Sequence, residues 1–302
     1  MKRFVGCVAV LVVLLAGCGR ESVKQSAVAS KAKFPLTLTT GAGTVTLNAR
    51  PKRIVSLSPT ATEMLFAIDA DEQVVAVDDQ SNYPPDVPKT KLSGFQPNVE
   101  AVANYKPDLV VFASDARKLG PAFKAIGVPA LEEPAAKTLK DTYAQIRQLG
   151  QATGHVGESE KVVDDMEKDI REIVSDASEK SGSPSYYHEL DNTYFTATSR
   201  SFIGQIYGLL GLENIADPAD KAGTGYPQLS AEYIIKANPD YILLADTKCC
   251  KQSEQTVAAR PGWKNIDAVK NHKVIALNDD VASRWGPRVV DFLRTVSKAI
   301  EE

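Results

Sequence analysis

Two α/β lobes joined by a single long helix are the fold this sequence predicts. Three observations predict it. Short apolar strands alternate with helical segments along most of the 302 residues. The alternation stops at one long amphipathic stretch and then restarts. A pattern in the first half recurs in the second at a constant offset. Such alternation builds βα units and largely parallel sheet. The length suits two domains of about 100–200 residues each.

The first residues stand apart from that body. Lys2 and Arg3 bring positive charge, and residues 4–16 are uncharged and mostly apolar. As a helix this run spans only about 20 Å, short of a hydrocarbon core of about 30 Å. It reads as the apolar part of a signal peptide, residues 1–17. Leu15-Ala16-Gly17-Cys18 resembles a bacterial lipobox. That resemblance implies cleavage before Cys18 and a lipid on its thiol. Residues 18–50 are then a tether and the first strands. Residues 20–33 are rich in Ser, Ala and Lys without an apolar period, as in a flexible linker. The mature chain has 302 − 17 = 285 residues, and loss of Lys2 and Arg3 moves the net charge from −3 to −5. A mildly acidic body argues against nucleic acid as a partner and against broad adhesion to anionic lipid.

Four cysteines reduce to two in the mature body. Cys7 leaves with the signal peptide and Cys18 is the lipid site, so Cys249 and Cys250 remain. Neighbours in sequence do not form a framework disulfide. They are either unpaired thiols in a loop or, in an oxidising compartment, a vicinal disulfide at a cleft rim.

The elements follow in order. Residues 44–47 read as a short strand and 53–57 as a buried one. Ser58-Pro59-Thr60 turns the chain into a helix near Ala61 that runs through Met64, Leu65 and Ile68. Strands follow at 73–77, at 109–113 after Pro107-Asp108, and at 128–131, with helices at 99–105 and 121–126 between them. Leu139, Tyr143, Ile146 and Leu149 have helical spacing, and Gly150, Gly154 and Gly157 are expected to break that helix. From residue 156 to 180, Val162, Val163, Met166, Ile170, Ile173, Val174 and Ala177 make one stripe opposite a charged face. A helix of that length reaches roughly 37 Å, about the width of two small lobes. The expected boundaries are therefore a first lobe at 51–155, the bridging helix at 156–180 and a second lobe at 181–302.

The repeat is specific. Glu100, Pro107, Asp108 and Ala113 match Glu232, Pro239, Asp240 and Ala245 at one offset (232 − 100 = 132 and 239 − 107 = 132). Each copy reads as helix, Pro-Asp turn and buried strand, so the two lobes share a build.

The residues now resemble a known family. Pro51-Lys52-Arg53-Ile54-Val55-Ser56-Leu57-Ser58-Pro59-Thr60-Ala61-Thr62-Glu63, Tyr83-Pro84-Pro85 and Asn98-Val99-Glu100 carry the likeness in the first half. Gly211-Leu212-Glu213-Asn214-Ile215, Tyr226-Pro227-Gln228-Leu229-Ser230-Ala231-Glu232 and Arg284-Trp285-Gly286-Pro287-Arg288 carry it in the second. The chain resembles the ABC importer substrate-binding lipoproteins that serve cobalamin, iron-siderophores and haem, and its motifs are most similar to the cobalamin group. The resemblance implies two Rossmann-like lobes bridged by one rigid helix, the class III periplasmic-binding-protein type, with the ligand between them. It implies a lipid-anchored, extracytoplasmic monomer that serves a permease dimer and its ATPase subunits.

Site residues carry over one by one. Glu100 and Glu232 stand where the family docks one glutamate per lobe on the permease. Phe95 and Tyr226 stand where cobalamin binders flank the corrin ring with aromatics, and Gln80 replaces a tyrosine of that pattern. Thr60 follows the turn that brings backbone amides near the ligand. Asp280 and Arg284 match an acid and a base that bond corrin amides, and Trp285 beside them is positioned to cover the pocket. The resemblance leaves a ferric siderophore or haem as the alternative cargo, since Arg200, Arg284 and Arg288 suit an anionic chelate. Glu189 and Asp191, if they approach the cleft, oppose that charge.

Other classes find less support. A metal receptor needs clustered imidazoles, and His155, His188 and His272 are far apart in sequence. His155 and His272 read as surface loop residues and His188 as the one near a cleft. The chain has no Gly-x-Ser-x-Gly, Walker A, His-Glu-x-x-His or dinucleotide loop. A cell-surface hydrolase is thus a distant alternative, and no cofactor is implied beyond the transported ligand.

Overall fold

The computed structural model describes residues 32–40, 43–114, 118–178 and 182–301. The signal peptide, Cys18 and most of the tether lie outside the described residues. A hairpin comes first, with β1 (Leu36–Thr40) paired antiparallel to β2 (Gly43–Leu47). The sequence reading had only its second strand.

The first lobe runs β3 (Ile54–Leu57), α1 (Pro59–Ala67), β4 (Val74–Val77), α2 (Val99–Ala103), β5 (Leu109–Phe112), α3 (Leu119–Ala125), β6 (Ala130–Glu132) and α4 (Leu139–Thr153). The bridging helix α5 is Val156–Ser178. The second lobe runs β7 (Ser185–Glu189), α6 (Phe202–Gly208), β8 (Glu213–Asn214), α7 (Ala231–Ala237), β9 (Tyr241–Leu244), α8 (Glu254–Ala258), α9 (Asp267–Lys270), β10 (Val274–Ala276), α10 (Asp279–Ala282) and α11 (Val289–Glu301).

There are two separate four-stranded sheets, β4-β3-β5-β6 and β8-β7-β9-β10, and every pairing within them is parallel. In each, the first strand sits between the second and the third. The lobes therefore share one strand order. The Pro-Asp repeat has a physical cause. Asp108, entering β5, accepts the amides of Lys52 (2.9 Å) and Arg53 (2.8 Å) at the start of β3. Asp240, entering β9, accepts the amide and hydroxyl of Ser185, both at 2.8 Å, at the start of β7. Each aspartate pins the third strand to the first. Lys106 and Asn238, two residues before each aspartate, both take a left-handed turn (φ 49° and 50°).

The long helix joins the halves through a continuous core. Met64, Leu109 and Ile146 share one apolar cluster with Tyr186, Leu243 and Phe292, and α5 adds Val163, Met166, Ile170 and Ala177 to it. It packs on α4 from the first lobe and α11 from the second. A helix of its 23 residues is about 35 Å long.

Two expectations change here. Gly150 does not break α4, because it is the contact point with α5; a Cβ there would stand 2.1 Å from Ser159 Oγ. Gly157 lies inside α5, and only Gly154, at φ 82°, ends the helix. His155 is not a free surface residue either. Its ring is wedged against Arg50 (2.6 Å) and Gln73 (3.1 Å) where α4 turns into α5.

Candidate functional site

Parallel sheets place every strand end, and the start of every following helix, along one edge. In the first lobe that edge carries Thr60, Gln80, Phe95 and Glu100. In the second it carries Tyr226, Glu232, Asp280 and Arg284. Contacts between the lobes show that the two edges meet.

Glu63 is the centre of that meeting. It lies in α1, 3% exposed, and receives Arg284 Nη1 (2.7 Å), Arg288 Nε (2.9 Å) and Arg288 Nη2 (2.5 Å) from across the seam. Arg284 also donates to Asn82 Oδ1 (3.1 Å) and the Gln80 carbonyl (3.0 Å). Arg288 stacks over Tyr83, 4.1 Å from its ring centre. In the sequence Glu63 is one letter of a motif. Nothing local marks it, since its partners lie more than two hundred residues away.

Asp280 and Arg284 are bonded to each other, at 3.3 Å. Asp280 also receives Lys248 Nζ (2.5 Å) and Asn82 Nδ2 (3.1 Å). Burial pushes its carboxyl up, but the bonds from Lys248 and Asn82 and the charge of Arg284 outweigh that and hold it below the usual range. Trp285 crosses the seam by donating to Gln145 Oε1 at 3.0 Å. Gly286 packs on Thr60, whose methyl would lie 3.5 Å from an added Cβ, so the Thr60 side chain is covered by the second lobe.

A cavity of about 90 Å³ lies in the seam. Ala135 and Ala136 line it from the first lobe, and Phe202, Tyr226, Arg284 and Trp285 are among its walls from the second. Large aromatics on the two edges are exposed. Phe95 is 80% exposed and Tyr226 47%. Gly94 fixes Phe95 above the end of β3, because a Cβ at Gly94 would meet the Leu57 carbonyl at 2.9 Å. Tyr83 and Phe195, exposed on the same two edges, were not expected from the sequence. Exposed large aromatics are the informative exception to burial.

The seam's cations are matched by acids. Arg284 and Arg288 face Glu63, and Lys248 faces Asp280. Arg200 is exposed and forms no ion pair among the described residues. Glu100 and Glu232 are exposed in the first turns of α2 and α7, whose caps are Asn98 and Ser230. The Glu232 carboxyl is held below its ordinary range by its own amide and by Ser230.

Three residues behave differently from their sequence reading. Glu189 is not an open cleft charge. It is fully buried at the end of β7, in a two-pronged bond with Arg260 (2.6 and 2.5 Å) that also lies over Trp263. Asp191 spends its carboxylate on the turn, accepting from Thr193 at 2.6 and 2.8 Å. His188 is buried in the lobe, bonded to the Tyr207 hydroxyl at 2.7 Å, and burial lowers its pKa to about 3.

Asp246 sits behind the same edge. Its carboxyl is buried with no donor among the described residues. Burial first, and then the Glu189 charge, raise its pKa to about 7. Between about pH 4 and 7 the folded state holds a proton that the unfolded chain, at an ordinary 3.8, has released. Stability from this group therefore falls as pH rises through that window. His188 acts oppositely, since its folded pKa is depressed. Asp246→Asn isolates the acid. Its unfolding free energy should exceed that of the parent by an increasing margin from pH 5 to 8, reaching about 1–3 kcal/mol. A constant margin would refute the assignment.

Two like lobes, a long helical bridge and a cavity between facing strand ends are the arrangement of a class III solute receptor. The chain belongs to the periplasmic binding protein family, whose profile matches residues 54–281. It is 32% identical to an ABC transporter substrate-binding lipoprotein of Bacillus subtilis, over 99% of this chain and 98% of the relative. It is 30% identical to a vitamin B12-binding protein of Pectobacterium carotovorum, over 80% and 86%. The periplasmic haem-binding protein of Roseiflexus superposes with a TM-score of 0.74 at 25% identity, covering 82% of this chain and 97% of that one. The chain is thus a substrate-binding protein of an ABC importer, outside the cytoplasm, delivering a small molecule to a permease. Its family is made of transport receptors and not of enzymes.

Proposed function

We propose that this receptor carries cobalamin or a closely related corrinoid, received at the mouth of the seam between Phe95 and Tyr226. The paired charges carry this reading. A corrin is a large flat ring edged mainly by amides, so it needs aromatic faces and hydrogen-bonding groups more than a free cation. Asp280, the Gln80 amide side chain and the backbone amides of the turn at Thr60 are the polar groups proposed to bond it, with Arg284 and Trp285 forming the floor. A cavity of about 90 Å³ is small beside the usual 300–1,000 Å³ of ligand pockets. The ligand therefore rests across the mouth or parts the rim, and is not swallowed whole.

Cys18 is proposed to hold the receptor to the membrane by its lipid. Glu100 and Glu232 are proposed to seat it on the permease dimer. The receptor works as a monomer in this reading.

Haem or a ferric siderophore is the second reading, favoured by exposed Arg200. Calorimetry separates them. Cyanocobalamin should bind with a Kd of about micromolar or tighter, and Arg200→Ala should leave that affinity unchanged. Clear heat with haem or a ferric hydroxamate, lost in Arg200→Ala, with none from cyanocobalamin, would replace the corrinoid reading.

A further inference from the structure

The receptor role leaves two adjacent thiols unused. Cys249 is exposed and Cys250 half-buried, both unbridged, with their Sγ atoms 2.7 Å apart. They sit in the loop that follows β9, at the edge facing the seam. That loop is tied to α10. The amides of Thr247, Lys248 and Cys249 all donate to the Asp279 carboxylate, at 3.0, 2.8 and 3.3 Å. Lys248, next to Cys249, reaches Asp280 at the rim. The Cys250 amide is held by the Asp246 carbonyl at 3.1 Å, and Lys251 turns the chain with φ 56°. The Cys249 thiol is pushed up to about 12, chiefly by its hydrogen bond to Cys250. It is therefore a poor lone nucleophile or metal ligand.

We propose that Cys249 and Cys250 close into a reversible vicinal disulfide and that closure releases Lys248 from Asp280. The partner is an oxidised disulfide of a small thiol or an oxidoreductase. Cys250 attacks it as thiolate, forming a mixed disulfide and expelling one thiol. Cys249, its hydrogen bond to the Cys250 thiol lost, then displaces the other. The two cysteines lose two protons and two electrons, and the partner disulfide gains them as two thiols. An extracytoplasmic protein meets such oxidants. The ring runs through the peptide bond between the two residues. Closing it rotates that unit, and the amides of Cys249 and Cys250 cannot both keep their present acceptors. Lys248 directly precedes that unit, and its amide shares the Asp279 carboxylate with the Cys249 amide.

Peptide mapping of the full chain tests closure. After treatment with oxidised glutathione, the peptide holding both cysteines should be lighter by two hydrogens, and dithiothreitol should restore it. Cys249→Ser and Cys250→Ser should instead carry glutathione. Stable glutathione adducts on the parent chain, or dimers linked through these cysteines, would overturn the ring. Acylation of Lys248 tests the coupling without any ligand. It should rise severalfold on oxidation of the parent and stay flat in both variants. A ring that forms while Lys248 labelling stays constant would overturn the release step.

Discussion

Glu63→Ala is expected to lower the unfolding free energy by about 3–5 kcal/mol, the cost of stranding a buried ion-pair partner. The carboxylate is 3% exposed and is the meeting point of two guanidinium groups that the other lobe inserts beside it. Removing it does not merely delete an attraction. Arg284 keeps Asp280, Asn82 and the Gln80 carbonyl, so it retains partial solvation. Arg288 keeps its stack on Tyr83 and loses its carboxylate. The larger part of the penalty therefore falls on Arg288. Glu63→Gln preserves shape and acceptors but not charge, and should cost about 1.5–3 kcal/mol, the scale of a hydrogen bond to a charged group. Urea unfolding measures both. A loss below about 1 kcal/mol for the alanine variant would place this triad in the class of surface pairs and remove it as a clasp between the lobes.

Charge reversal at both proposed docking acids, Glu100→Arg with Glu232→Arg, should abolish uptake while leaving ligand affinity intact. The two acids are equivalent by position, one on the short helix before each third strand. Each sits at the strand-end edge of its own lobe, outside the seam's bonded network. Dipole stabilisation at these helix starts is worth about 0.3–1 kcal/mol per acid, so the fold should survive. Close charge pairs between proteins couple by about 1.5–7 kcal/mol, and like charges also slow encounter. Two such losses together exceed a hundredfold in association. Transport of labelled cyanocobalamin, with calorimetry on the purified variant, checks both halves. Unimpaired uptake, or affinity lost along with it, would refute the docking role.

Much of this molecule is written in short stretches. Short runs such as Ile54–Leu57, apolar but for Ser56, and Tyr241–Leu244 announce buried strands. The stripe of α5 announces a helix with one apolar side. The repeat at a spacing of 132 residues predicts two sheets of one design. Those signals are legible because backbone geometry and side-chain periodicity act between near neighbours.

The fate of the charges and glycines was not legible in the same way. Glu189 looked like a cleft acid until Arg260 enclosed it, and His188 looked available until Tyr207 and the lobe interior surrounded it. Gly150 looked like a helix breaker until Ser159 came against it from α5. Glu63 and Arg288 are 225 residues apart, yet they meet within 2.5 Å. The sequence by itself determined most strands and helices of the first lobe, the long bridging helix, and that the chain comes as two like halves. The tertiary structure alone decided which charges are spent holding the halves together and which remain to meet a ligand or a partner. Burial and pairing are set by what lies across space, and desolvation makes an unpaired charge too costly to leave inside.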